Sequence, residues 1–301
     1  MIPEFPQFKK LELEDKKDVE KFTSKFPPYS DFNFVSIWSW DTKGEMRISQ
    51  LNNNLVVRFT DYLSGNPFFS FLGDNKVDET IQELMDYSQE KYGQTCLKLV
   101  PEEVTKHSKN GFEMELDQDA FDYVYEVEHL ADMHKWAKHT SGKNVRRFTK
   151  EYPEYSIRHF PIKDAPAKEC LSLFRKWAKV RDMNHTDLNE YKAAERVFNS
   201  GVDELRVVTL YLKDLLVGFT IYEAISKDYA VSHFAKSDKE HHQAVNDVLN
   251  WEEAKILDSL GVKYFNWEQD LGIEGLRKSK QKYKPVFMLK KHKIGCRKDS
   301  C

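Results

Sequence analysis

A chain of 301 residues is long enough for about two ordinary domains, each with its own core. A hydrophobic content of 40% against 32% charge excludes a disordered chain, and no apolar run approaches the roughly 20 residues that span a bilayer. The net charge of −3 conceals two basic segments: residues 129–150 carry six Lys and Arg against Asp132, and residues 276–301 carry ten against Asp299. On an otherwise acidic body these mark either anionic partners at defined places or two solvated faces.

The start, "MIPEFPQFKKLELEDKKD", lacks the apolar core of a signal peptide. In the first half "FKKLEL" reads as a strand, and "DKKDVEKFTSKF" and "DFNFVSIWSW" as helices. "EMRISQL", "NLVVRFTDYL" and "PFFSFLG" are three strands, the first pair joined by Asn52-Asn53. "KVDETIQELMDYSQEKYG" is a helix ending at Gly93, "TCLKLV" a strand and "EEVTKHSKNG" a helix. "FEMELD" and "FDYVYEVE" are the closing strands. A connecting segment, "HLADMHKWAKHTSGKNVRRFTKEYP", reads as a basic helix interrupted near Gly142.

The second half repeats that order. "YSIRHF" is a strand, followed by helices in "DAPAKECLSLFRKWAKVRDM" and "NEYKAAERVFNSG". Three strands come next, "LRVVTLYL", "LLVGFTIYEAI" and "YAVSHFAKS", the first pair joined by Lys213-Asp214. "AVNDVLNWEEAKILDSLG" is a long amphipathic helix, "VKYFNW" a buried strand, "IEGLRKSKQKY" a helix and "PVFMLKKHKI" a final strand. The duplication divides the chain into residues 1–128, a basic connection 129–152, and residues 153–301. The four cysteines are scattered without a CxxC pair, which points to reduced thiols in the cytoplasm. Cys296 with Cys301, and His241 with His242, are weak metal candidates, and no metal is expected.

This element order resembles the acyl-CoA N-acyltransferase (GNAT) fold: α/β, with a mixed sheet in each of two tandem domains. The resemblance implies that the fourth and fifth strands splay apart and expose a gap to the substrate. In the second half these are residues 229–235 and 262–267. Two stretches, "PPYSDFNFVSIWSWD" (27–41) and "NWEQDLGIEGLRKSKQKYKPVFML" (266–289), are similar to the lysyl-phosphatidylglycerol synthase C-terminal family, over essentially the whole chain. That family is tandem GNAT and is related to the Fem-type transferases. The resemblance implies transfer of an aminoacyl group from aminoacyl-tRNA to a lipid or another acceptor.

The residues themselves supply candidates. Glu268 and Asp270 follow the fifth strand, where two carboxylates could deprotonate a nucleophile and bind a cationic aminoacyl group. Asp270 could equally cap the next helix. Asn266, His233, Arg277, Lys280 and Tyr283 are candidates for substrate binding, with core, strand-edge or solvated-face roles as the alternatives. Lys143, Arg146, Arg147 and Lys150 fall on one helical face and form a candidate tRNA or anion stripe, unless acids elsewhere cover them. Tyr29, Trp38 and Trp40 form either a pocket wall or core. The turn after the fourth strand, "KSDKEHHQAVNDV", has no glycine to let a pyrophosphate approach, and Asp238 and Glu240 repel one. Coenzyme A is therefore disfavoured as donor relative to aminoacyl-tRNA. The acceptor is a small molecule, peptide or lipid. An acyl-CoA-dependent N-acyltransferase and a non-catalytic RNA- or anion-binding protein are the two rival readings.

Overall fold

A computed structural model describes residues 1–61, 65–109, 111–180, 185–238 and 244–295. In chain order the first run is β1 (Lys9–Lys10), α1 (Lys16–Thr23), α2 (Phe34–Trp40), β2 (Arg47–Leu51), β3 (Asn54–Thr60), β4 (Pro67–Leu72), α3 (Val77–Tyr92), β5 (Leu97–Pro101), α4 (Glu102–Thr105) and β6 (Met114–Leu116). Then follow β7 (Asp122–Glu126), α5 (Val127–Ala131), α6 (Thr140–Glu151), β8 (Ser156–Pro161), α7 (Ala167–Val180), α8 (His185–Phe198), β9 (Leu205–Leu212), β10 (Leu215–Ala224), β11 (Tyr229–Ser237), α9 (Val245–Ser259), β12 (Tyr264–Asn266), α10 (Glu274–Gln281), β13 (Phe287–Leu289) and β14 (Lys291–Ile294). None of these helices is long and apolar enough to cross a membrane.

Two seven-stranded sheets result. The first runs β1-β2-β3-β4-β5-β14-β6 and the second β13-β7-β12-β11-β10-β9-β8. In each, four antiparallel strands lead to a parallel pair, β4 with β5 and β11 with β12. Among the described residues the first parallel pair meets only at Phe69 and Leu97. The hairpins obey local chemistry. Asn52 and Asn53 adopt φ of 53° and 61°, as a two-residue turn of the I′ kind requires, and asparagine tolerates this better than most residues. Helix α3 buries Val77, Ile81 and Leu84 at helical spacing and stops at Gly93, whose φ is 69°.

The chain departs from two contiguous halves at its closing strands. The "FDYVYEVE" strand, expected to close the first sheet, is β7 and lies in the second, antiparallel to β12. The "PVFMLKKHKI" strand, expected to be single, is two: β13 stays in the second sheet, while β14 pairs with β5 and β6 in the first. One unit therefore comprises Met1–Asp122, Gln269–Lys278 and Met288–Cys301, the other Tyr123–Glu268 and Ser279–Phe287. The basic connection belongs to the second unit. It is three short pieces rather than one interrupted helix: α5, a turn over Met133–Lys135, and α6. Gly142 sits in the first turn of α6, not at a break. A Cβ there would lie 2.3 Å from the Trp136 carbonyl oxygen, so only glycine allows the helix to pack this closely on the preceding turn.

Candidate active site

In the second unit, β11 and β12 pair at Tyr229–Tyr264, Ala230–Phe265 and Val231–Asn266. Strand β12 ends there, while β11 continues to Ser237. The strands thus separate immediately before His233 and Glu268. On its other side β11 carries a β-bulge: Ile221 pairs with Phe234 and Tyr222 with Ser232, leaving His233 as the extra residue. The alternation that would give His233 the same face as Val231 and Ala235 is broken at this point.

Three ionisable side chains meet at the separation. His233 Nδ1 lies 3.4 Å from Glu268 Oε1, and His233 Nε2 lies 3.4 Å from Glu223 Oε2. His233 and Glu223 are buried, whereas 19% of the Glu268 side chain is exposed. Burial opposes a charge on His233. The two nearby carboxylates of Glu223 and Glu268 outweigh it and raise the imidazole pKa to about 9. At neutral pH His233 is therefore a cation between two acids. It can hold Glu268 but cannot itself take up a proton. Glu268 is the member that a solvent-borne group can reach.

The backbone at Glu268 is held in an uncommon conformation. Its φ is 58°, in the left-handed region that non-glycine residues avoid. Glu268 N–H donates to Asn266 Oδ1 at 2.7 Å, and Tyr123 N–H donates to the Glu268 carbonyl at 3.1 Å. Asn266, fully buried, thus positions Glu268 through this turn. The Lys280 ammonium is buried against the Trp267 carbonyl and lies 5.7 Å from the Tyr123 ring centre. Trp267 packs against Tyr125 and Tyr283, with ring centres 4.3 and 5.0 Å away.

Asp270 is not beside Glu268 in this cluster. It belongs to the first unit and is fully buried, accepting from Gly272 N–H at 2.9 Å and from Arg277 Nε at 2.8 Å. Arg277 also donates to Asp119 Oδ1 at 2.5 Å. Arg277 is therefore engaged inside its own unit. Helix α10 ends at Gln281, so Arg277 and Lys280 lie on it and Tyr283 lies beyond it. Tyr283 is buried and donates to Asp247 Oδ1 at 2.5 Å. Asp247 also accepts from Lys282 Nζ at 2.8 Å and Asn144 Nδ2 at 2.6 Å, joining the two basic segments inside the second unit. Glu274 and Lys278 form an i,i+4 ion pair at 2.5 Å.

The stripe residues Lys143, Arg146, Arg147 and Lys150 are all exposed on α6, whose Val145 and Phe148 are buried. Arg146 is anchored: its guanidinium donates to the carbonyls of His134 at 2.5 Å, Ala137 at 3.3 Å and Trp136 at 3.4 Å. Lys143, Arg147 and Lys150 form no ion pair among the described residues. Tyr29 and Trp38 are buried core residues of the first unit.

The two family-like stretches meet at a second buried cluster, within the first unit. Lys291 Nζ contacts Asp31 and lies 2.7 Å from Asp122 Oδ1. Ser30 donates to Asp122 from its backbone at 2.7 Å and from its hydroxyl at 2.6 Å, and Gln269 donates to Asp31 at 3.0 Å. Burial opposes charge on both partners. It raises the pKa of Asp31, while the two carboxylates keep Lys291 firmly protonated.

Among the described residues no group of three or more His, Cys, Asp or Glu is arranged to hold a metal ion. His241, His242, Cys296 and Cys301 lie outside the described residues, as do residues 239–243 of the glycine-free turn. Cys170 is a buried free thiol; Cys96, expected to be reduced, is disulfide-bonded.

A family profile described as "Phosphatidylglycerol lysyltransferase, C-terminal" matches residues 24–293. The chain belongs to this family. Its relatives by structure include a conserved protein of unknown function from Bacteroides thetaiotaomicron, at TM-score 0.83 and 24% identity, covering 99% of this chain and 100% of that one. The C-terminal domain of a putative lysylphosphatidylglycerol synthetase from Agrobacterium fabrum matches at TM-score 0.67 and 11% identity, covering 95% and 93%. L-PGS from Bacillus licheniformis matches at 0.62 and 13%, covering 100% and 95%. FemX matches at 0.55 and 8%, covering 95% and 96%. No match was found among curated proteins. The fold is thus mixed α/β with two tandem GNAT-like domains, a fold shared with FemX and L-PGS, and the family is one of acyltransferases. Sequence reasoning singled out Glu268 and His233 but passed over Glu223. The available signal was an acid inside the otherwise apolar strand "LLVGFTIYEAI".

Proposed function

We propose that this chain transfers an aminoacyl group from aminoacyl-tRNA to a small-molecule, peptide or lipid acceptor, with Glu268 as proton acceptor. The observation that carries this reading is Glu268 at the parting of β11 and β12, backed by His233 and partly open to solvent. The acceptor's hydroxyl or amine attacks the ester carbonyl of the aminoacyl-tRNA. Its proton passes to Glu268, the new ester or amide forms, and the tRNA 3′-terminal ribose leaves with a proton. His233, already protonated, holds the Glu268 carboxylate in place rather than acting as base. The exposed cations of α6 support contact with tRNA phosphates. The family and its structural relatives favour an aminoacyl donor, and the glycine-free turn disfavours coenzyme A. Such a donor places the reaction in the cytoplasm, where tRNA is charged.

The test supplies two labelled donors separately: total tRNA charged with radioactive amino acids, and radioactive acetyl-CoA. Each is incubated with the chain and with lipid, peptide and small-amine fractions. Label moving from tRNA into an acceptor fraction supports the proposal. Label moving only from acetyl-CoA supports an acyl-CoA-dependent enzyme instead. Saturable tRNA binding without transfer supports a binding protein.

A further inference from the structure

We infer that Glu223 is a positioning residue which acts through His233 to keep Glu268 aimed at the substrate. This rests on the reading of Glu268 as proton acceptor. Glu223 lies near the end of β10, paired with Val231 and Leu205 on its neighbouring strands, and is 1% exposed. It cannot touch a substrate that arrives from solvent. A carboxylate buried this deeply is costly unless a charge or several donors face it. The β-bulge turns His233 into that role: one ring nitrogen meets Glu223 and the other meets Glu268, both at 3.4 Å.

The chemistry of imidazole makes the arrangement directional. A neutral ring has a single N–H, so it can donate to one carboxylate only and must turn a lone pair toward the other. With an acid at each nitrogen, the ring satisfies both only as the doubly protonated cation. Among the described residues the charged groups against the ring are Glu223, from β10, and Glu268, from the turn after β12. Glu268 is partly solvated and can turn away; Glu223 is enclosed and cannot. Glu223 therefore fixes the second proton on the ring. The resulting cation then holds the Glu268 carboxylate in one orientation, 3.4 Å from the ring. Without Glu223 the ring loses its second proton in the neutral range, and Glu268 loses its charged support.

The experiment follows the side-chain nitrogens of His233 by long-range proton–nitrogen NMR on the full chain, with the resonances assigned by their loss in His233→Asn. In the wild type both nitrogens are expected to stay protonated through pH 7.5. In Glu223→Gln the ring should give up a proton at least tenfold more readily, and Glu223→Asp should recover part of the difference. Thermal melts identify any variant that fails to fold, in which case Glu223→Asp and wild type carry the comparison. A neutral His233 at pH 7 in the wild type overturns the inference. So does a Glu223→Gln variant, folded, in which the ring titrates unchanged. The readout needs no substrate. If His233 behaves as expected and no variant transfers an aminoacyl group, the proposed function fails while the Glu223–His233 coupling stands. In an active preparation, Glu223→Gln should shift the pH dependence of kcat with little change in KM. A loss of activity equal at every pH would show a structural role only and overturn the inference.

Discussion

Lys291 and Asp122 stand 2.7 Å apart, neither side chain exposed, and each is the first residue of a strand that has moved to the other sheet. The pair, with Asp31, forms inside the first unit where two distant sequence stretches converge. Two carboxylates share one ammonium, so removing the cation leaves the acids facing each other in a buried place. Lys291→Met should therefore cost about 3–5 kcal/mol of stability by urea denaturation. A loss below about 1 kcal/mol would show that the cluster is not an essential buried ion pair.

The order of strands and helices was legible because periodicity and turn chemistry are local. The asparagine pair at 52–53 and the glycines ending α3 and α9 mark their boundaries directly. The exchange of β7 and β14 was not legible, since alternation says which faces are buried and not which sheet receives the strand. "PVFMLKKHKI" reads as one strand because only Lys290 separates the two pieces. At the site, Glu268 was visible from its position just after the fifth strand and His233 from its place within the fourth. The bulge that brings them together requires no special residue, so it left no mark. Asp270 looked equivalent to Glu268 in sequence, but two residues of turn carry it to Arg277 instead.

Glu253, on α9, is wholly buried. Burial, with no cation facing the carboxyl among the described residues, raises its pKa to about 8. The folded state thus holds this proton more tightly than the unfolded chain, where the carboxyl has its ordinary value of 4.5. Between those two values the native state binds more protons, so stability falls as pH rises, by up to about 1.4 kcal/mol per pH unit from this group. Glu253→Gln should remove that fall, and the difference from wild type should grow between pH 5 and pH 8 in denaturant titrations. Parallel curves would show that Glu253 ionises normally.

On α6, Arg146 and Arg147 should behave differently although they are neighbours. Arg146 ties down the carbonyls of the preceding turn, so Arg146→Ala should lower thermal stability. Arg147 is exposed and makes a single long hydrogen bond of 3.5 Å to Asn144 Oδ1 on its own helix, so Arg147→Ala and Lys150→Ala should leave stability within about 0.5 kcal/mol. If these cations contact tRNA phosphates, each of the latter two substitutions should lower the salt slope of log affinity by about 0.7–0.9. Filter binding at several salt concentrations measures this. Unchanged slopes would make the stripe a solvated face.

The account turns on Glu268, and its most direct test is the rate at which Glu268→Gln transfers an aminoacyl group in a single turnover with excess protein and labelled aminoacyl-tRNA. The amide keeps the size and the hydrogen-bonding reach of the carboxylate but cannot take the nucleophile's proton. Transfer should fall by about 10²–10⁴-fold, with tRNA affinity at a fixed salt concentration unchanged. Transfer at the wild-type rate by a folded Glu268→Gln protein would contradict the account.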